Sequence, residues 1–248
     1  MRAWVLWTEP RVKQLLRPTD APHAAVSGEN PDRILIFGAG PAVGWGVLSH
    51  DLALPGSLAR ELAQHTGRGV EVDVVSDRWV MANSALEELE SLRLSSYDAI
   101  VIMLGVDDSR NLVPLKSWRL DLTAIFNLVE VASSPGTPVF IVGIHPIRSI
   151  PVFDCLLGGI ADRHAARMNA ATAEIAATRE RITFVPWAAA PCPPENRFRD
   201  APTYKRWAQT LTEQAAPRLG QSRNGRRPPA PVQPAGQPPT MRPLGWHR

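Results

Sequence analysis

Five short stretches of this chain carry residue types that can do chemistry. The first is Gly38-Ala39-Gly40-Pro41-Ala42-Val43-Gly44-Trp45-Gly46, a glycine-rich loop directly behind the apolar run Ile34-Leu35-Ile36-Phe37. Glycines let a backbone turn sharply and let another group approach it closely. Two of them at this spacing resemble the start of a phosphate-cradling dinucleotide fingerprint. The second is Ser49-His50-Asp51, the residue types of a nucleophile, a base and an orienting acid, although neighbours in sequence rarely converge on one point. The third is Asp107-Asp108, which could pair with Arg148 or offer oxygen ligands to a divalent cation. The fourth is His145 with Arg148, a pair suited to an anion or carboxylate. The fifth is the two cysteines, Cys155 and Cys192, which share no motif spacing and read as inert thiols.

Two of these chemistries are weakened by what surrounds them. A dinucleotide fingerprint needs a helix that starts at its second glycine. Here the third glycine comes one place late, at Gly44, and Gly46 and Pro55-Gly56 interrupt any such helix; Asp77 is the one residue placed to serve as the ribose-binding acid. No His or Cys spacing supports a metal centre. The expectation is therefore no cofactor and no metal.

The elements that must hold these residues alternate regularly. Short apolar runs predict buried strands at about 34–37, 70–75, 98–104, 139–144 and 182–185. Helical spacing places Leu58, Leu62 and His65 inward on a helix over 57–66, with Gly67 as its cap. Asn83 can cap a helix over 84–93. Pro114 opens a long one with Trp118, Leu122, Ile125 and Val129 inward. A helix over 158–179 carries Ile160, His164, Met168 and Ile175, with His164 a half-buried, hydrogen-bonded histidine. Asp200 can cap a last helix to about 216 with Trp207, Leu211 and Ala215 inward. Strand and helix in alternation imply an α/β fold with a parallel sheet. Residues 1–32 read as a peripheral segment, with 18–31 a loop, residues 33–219 as the domain, and 220–248 as a disordered Pro/Arg-rich tail.

Composition narrows the partners. With 248 residues, 44% hydrophobic and 21% charged, the chain has the make-up of a globular domain with a sizeable core. No apolar run approaches a bilayer span, and the N-terminal Trp4-Val5-Leu6-Trp7 breaks at Pro10, too early for a signal peptide. A cytoplasmic location without a membrane partner is the expectation. The net charge of +3 comes from the tail: residues 221–248 hold five of the 27 basic residues and no acid, leaving 22 bases against 24 acids elsewhere. No nucleic-acid motif or interleaved aromatics accompany that charge, so nucleic acid is not an expected partner.

From Arg33 to Leu219 the blocks resemble the SGNH (GDSL-type) hydrolase family of ester hydrolases and acyl transferases. The resemblance implies a three-layer α/β/α flavodoxin-like fold with five parallel strands in the order 2-1-3-4-5. It also assigns positions. Gly38-Ala39-Gly40 stands where the family has Gly-Asp-Ser, so Gly40 replaces the nucleophile. Trp79 replaces the glycine whose N–H holds the oxyanion. Asp107 replaces the asparagine that donates to it, and a carboxylate only accepts hydrogen bonds. Counting back from Tyr204 and Trp207, Glu195 and Phe198 replace the aspartate and histidine of Asp-x-x-His. The implied protein has lost triad chemistry and binds a small ligand or a protein at the former active-site face, using some of Gly38, Gly40, Ser49, His50, Trp79, Asp107, His145 and Arg148. Trp45 and Trp79 would fill the vacated space or wall a ligand pocket. The alternative is an active ester hydrolase or acyl transferase with a relocated nucleophile or base drawn from Ser49, His50, Asp107 or His145.

Overall fold

The architecture was obtained as a computed structural model, which describes residues 1–76, 80–187 and 199–224. In chain order the elements are α1 (Arg2–Lys13), β1 (His23–Val26), β2 (Asp32–Gly38), α2 (Leu54–Thr66), β3 (Val70–Ser76) and α3 (Ala82–Glu90). Next come β4 (Ala99–Met103), α4 (Val106–Arg110), α5 (Leu115–Ala132), β5 (Val139–Val142), α6 (Leu156–Ala176), β6 (Ile182–Val185) and α7 (Ala201–Asn224). The sheet order is β1-β3-β2-β4-β5-β6. Every pairing is parallel except β1 on β3. The five parallel strands thus have the expected order, and the sheet has a sixth, antiparallel edge strand.

Alternation along the central strands sorts the two layers. Leu35 and Phe37 of β2, Ile100 and Ile102 of β4 and Ile141 of β5 face one side, where they pack with α1, α3, α5 and α6. Ile34, Ile36, Val101, Met103, Phe140 and Val142 face the other, against α2 and α7. Successive strand residues point to opposite faces, so burial on both sides demands the unbroken apolar runs seen in the sequence. At the start of β2, the fully buried Asp32 is held by the Arg68 guanidinium at 2.7–2.8 Å.

Several local expectations are corrected. The segment 18–31 is not all loop: His23–Val26 pairs with β3 in register Ala24 to Val72. It went unrecognised because only Ala24 of its four residues is buried, and an edge strand needs no apolar pattern. α2 begins at Leu54, so Pro55-Gly56 forms its first turn rather than the loop before it. Proline suits that turn because its missing N–H would have had no partner there. His65 is exposed, not inward. α3 starts at Ala82, one residue before the expected cap Asn83; Met81 takes the cap position, bonded both ways to the Ser84 hydroxyl. The inward face of α6 is Gly158, Ala161, Ala165, Met168, Ala171, Thr172 and Ala176, with Ile160, His164 and Ile175 flanking it. His164 is half-buried with Nε2 2.7 Å from the Val113 carbonyl. Asp200 does cap α7, accepting from Thr203 N at 2.9 Å, and the helix runs on to Asn224. The rest of the expected tail, 225–248, lies outside the described residues.

Candidate active site

In an open α/β sheet the strands' carboxyl ends and the loops behind them form the usual ligand crevice. Here β2 ends at Gly38, where a φ of +129° and the Met103 carbonyl only 2.0 Å from a would-be Cβ make glycine obligatory. The chain then forms a 3-10 turn over Gly40–Val43. Gly40 has φ +64°, and a Cβ there would lie 3.2 Å from the Val106 side chain. Position 40 thus offers backbone only, in a left-handed conformation that L side chains adopt at a cost.

Across from Gly40, α4 presents Asp107. Its Oδ1 accepts from Arg110 Nη1 at 2.6 Å, with the arginine 1% and the aspartate 5% exposed. Arg110 Nη2 donates to Thr8 Oγ1 of α1 at 2.9 Å. The guanidinium also stacks 4.1 Å from the Phe153 ring centroid and 5.6 Å from that of Trp4. Burial pulls the Arg110 pKa down, opposed by Asp107 beside it. The expected pairing of Asp107 with Arg148 is therefore wrong. Arg148 is exposed and bonds Asp154 through Nε and Nη2 at 2.8 and 2.7 Å. The i,i+3 spacing of Asp107 and Arg110 was available in the sequence, but it signals a pair only if the stretch is helical.

Asp108 points the other way and accepts from Ala82 N at 3.2 Å, at the start of α3. Its Oδ2 is buried without a hydrogen bond among the described residues. Burial, reinforced by the charges of Asp107 and Asp121, pushes its pKa up to about 7.

His145 is fully buried. Its Nε2 lies 2.8 Å from Arg199 Nη2. A guanidinium has only donors, so Nε2 must be the acceptor and the ring neutral with its proton on Nδ1. Burial, and then the Arg199 charge, hold its pKa well below the ordinary histidine value. Burial likewise lowers Arg199 and pushes Tyr204 up to about 12. The Arg199 guanidinium lies 5.1 Å from the Trp207 ring centroid, and the Tyr204 hydroxyl donates to the Trp45 carbonyl at 2.8 Å. α7 and the glycine loop are thereby locked together.

Ser49 and His50 sit apart from this cluster. His50 N bonds both Asp20 oxygens at 3.0 Å, and His50 Nδ1 lies 2.8 Å from Asp20 Oδ1. Ser49 Oγ accepts from Leu52 N at 3.3 Å, and Asp51 pairs with Arg60 at 2.6 Å. The three neighbours thus have three separate partners.

Gly40, Trp45, Val106, Asp107, Arg110, Ile150, Phe153 and Arg199, together with Val12 and Leu15 from the N-terminal segment, line a cavity of about 30 Å³, room for one or two waters. Of the expected site residues, Gly40 and Asp107 meet there, while Gly38, Ser49, His50, His145 and Arg148 are not in its lining. Trp79, Glu195 and Phe198, like Asp77 and Cys192, lie outside the described residues. Sequence reasoning missed Thr8, Asp20, Arg110 and Arg199, all of which contact partners remote in sequence or on elements it did not foresee. The segment 1–32 packs over the crevice: α1 covers Arg110, Leu16 O accepts from Gly46 N at 2.7 Å, and Asp20 holds His50. Among the described residues no group of three or more His, Cys, Asp or Glu could hold a metal ion.

The model of the GDSL-like Lipase/Acylhydrolase family matches residues 36–208. The chain belongs to this family. No curated protein matches the sequence. Among solved structures, the GDSL-like fold is shared with the lipase Lip_vut3 from a goat rumen metagenome, at 12% identity and a TM-score of 0.58, covering 75% of this chain and 97% of that one. It is also shared with a carbohydrate acetylesterase family member from Sinorhizobium meliloti, at 16% identity and a TM-score of 0.58, covering 76% and 99%. TesA aligns at 17% identity and a TM-score of 0.58, covering 75% and 99%. At these identities the likeness is one of fold. No described helix of this GDSL-like protein is long and apolar enough to cross a membrane.

Proposed function

We infer that this member of the GDSL-like family has lost the family's ester-cleaving chemistry and acts by binding, at the former active-site face. The observation that carries this reading is the lining of the cavity. Among the described residues it contains no serine, cysteine, threonine, lysine or histidine side chain, and the one carboxylate among them, Asp107, is engaged by Arg110. An ionised Asp107 would repel the oxyanion that the family's asparagine stabilises, a loss on the order of 3 kcal/mol in the transition state even if a nucleophile were present. At about 30 Å³ the cavity as it stands takes only a very small ligand. The test is turnover of short- and medium-chain p-nitrophenyl esters by the purified protein. The expected rate equals that of buffer; a rate that copurifies with the protein through successive columns overturns the reading.

A second reading, an ester hydrolase or acyl transferase with relocated groups, has one observation in its favour. His50 and Asp20 form a histidine–carboxylate pair at 2.8 Å, the arrangement that orients a general base, next in sequence to Ser49. It requires that ester turnover be present and vanish in His50→Ala.

A further inference from the structure

Most of the large apolar side chains that the described residues leave exposed ring one end of the molecule. Leu6 and Trp7 lie on the outer face of α1, 67% and 60% exposed, and Leu16 follows that helix. Leu48 and Leu52 belong to the loop that joins Leu16 through the Gly46–Leu16 backbone bond. Leu156 opens α6 just after Phe153, whose ring packs on Trp4 of α1 at 5.6 Å. The other two, Leu120 and Val131, are on α5. The inner face of α1, with Trp4, Thr8 and Val12, is already buried, so its outer residues have no core left to join.

The charge of this end is one-sided. The first 17 residues contain Arg2, Arg11, Lys13 and Arg17 against the single acid Glu9. Arg11 and Arg17 are exposed, and the Arg11 guanidinium lies over the Trp7 ring at 3.5 Å from its centroid. Glu9 is half-buried, and the neighbouring acids are committed to bases: Asp20 to His50, Asp51 to Arg60 and Asp154 to Arg148. Tryptophan and leucine interleaved with arginine on the outer face of a helix suit the boundary between lipid headgroups and acyl chains. A second copy of the chain would bring like charges together.

We propose that this end of the protein docks on an anionic lipid bilayer, with Leu6 and Trp7 of α1 entering the headgroup boundary and Arg11 and Arg17 meeting lipid phosphates. No membrane span is needed for such docking, so it is compatible with the absence of spanning helices among the described residues. It does not depend on whether the cavity beneath α1 is catalytic.

The experiment is sedimentation of the full chain with vesicles of phosphatidylcholine alone or mixed with phosphatidylglycerol, at low and high salt. The protein is expected to pellet with the anionic vesicles and to be released by salt. Leu6→Ser/Trp7→Ser, which leaves every charge in place, is expected to bind more than about tenfold more weakly. Arg11→Glu/Arg17→Glu is expected to lose about fivefold or more per arginine. All four positions are exposed, so unchanged melting temperatures confirm that the variants are folded. Failure of the wild type to pellet overturns the proposal. Equal pelleting of Leu6→Ser/Trp7→Ser and wild type also overturns it, because the apolar face of α1 then contributes nothing and charge alone carries the attraction. A concentration-dependent dimer in light scattering that Leu6→Ser/Trp7→Ser abolishes overturns it in favour of self-association.

Discussion

Arg110 Nη1 lies 2.6 Å from Asp107 Oδ1 in the wall of the cavity beside the glycine loop. The pair is buried, and Arg110 continues from it to Thr8 of α1. The pair thus keeps the Asp107 carboxylate occupied and anchors the helix that covers it. A carboxylate here is tolerable because the arginine is three residues along the same helical turn. The arginine is tolerable because the carboxylate, the Thr8 hydroxyl and the Phe153 ring surround it.

This coupling predicts strong non-additivity. Arg110→Met strands the Asp107 charge in a buried site and should cost about 3–5 kcal/mol. Asp107→Asn/Arg110→Met removes both charges and should recover most of that loss. Urea unfolding of the two singles and the double, read as a cycle, measures the coupling. Additive losses would show that the pair is not a unit.

Asp108 predicts a pH dependence. Its folded-state pKa is raised from 3.8 to about 7, so the folded protein favours the protonated acid. The corresponding stability is fully present below about pH 4, declines as the pH rises toward about 7, and is flat above that, a change on the order of 4 kcal/mol. Asp108→Asn keeps an acceptor for Ala82 N and removes the titration. Its unfolding free energy should rise relative to wild type across this interval and stay higher above it. Parallel pH profiles for the two proteins would contradict the assignment.

Two glycines in one loop should respond differently. Gly38→Ala drives a Cβ to within 2.0 Å of the Met103 carbonyl at a φ of +129° and should cost more than about 3 kcal/mol or prevent folding. Gly40→Ser meets only the Val106 methyl at 3.2 Å and a φ of +64°, a cost of about 1–2 kcal/mol. The serine variant should therefore fold, with a lowered melting temperature and no gain of ester turnover, since the described residues that line its cavity include no histidine and their one carboxylate is held by Arg110. Thermal melts and the ester assay check both halves.

The Asp20–His50 tie should be structural. Desolvation raises the Asp20 pKa, but hydrogen bonds from the His50 ring and backbone more than offset it and hold the pKa below its ordinary value. The stability from this pair is present above about pH 4 and lost as the pH falls below it. Asp20→Ala should cost about 1–2 kcal/mol by chemical denaturation at neutral pH, most of it absent in acid. An equal loss at both pH values would point to packing rather than charge.

How much of this was legible in the sequence follows from where the information sits. The apolar runs of β2, β4 and β5 have no solvent face, so their strands could be read directly, as could the Trp118, Leu122, Ile125 and Val129 stripe of α5, while the order 2-1-3-4-5 came from the family resemblance. Pro55-Gly56 was misplaced because the same residues that break a helix interior also start one. β1 was missed because an edge strand with one buried residue has no pattern to read. At the site, Gly40 and Asp107, singled out through the family resemblance, both line the cavity. Thr8 and Arg110 are 102 residues apart, and Arg199 reaches His145 across 54. Such contacts are set by the packed fold and leave no local signal.

The account rests on the absence of an activated nucleophile, and the most direct test is intact-mass measurement of the native full-length protein after incubation with a fluorophosphonate, beside an active serine esterase. The account predicts no adduct on this protein under conditions that label the esterase completely. A stoichiometric adduct mapped to Ser49 and abolished by His50→Ala would contradict it, and would place working esterase chemistry at the Asp20–His50 pair instead.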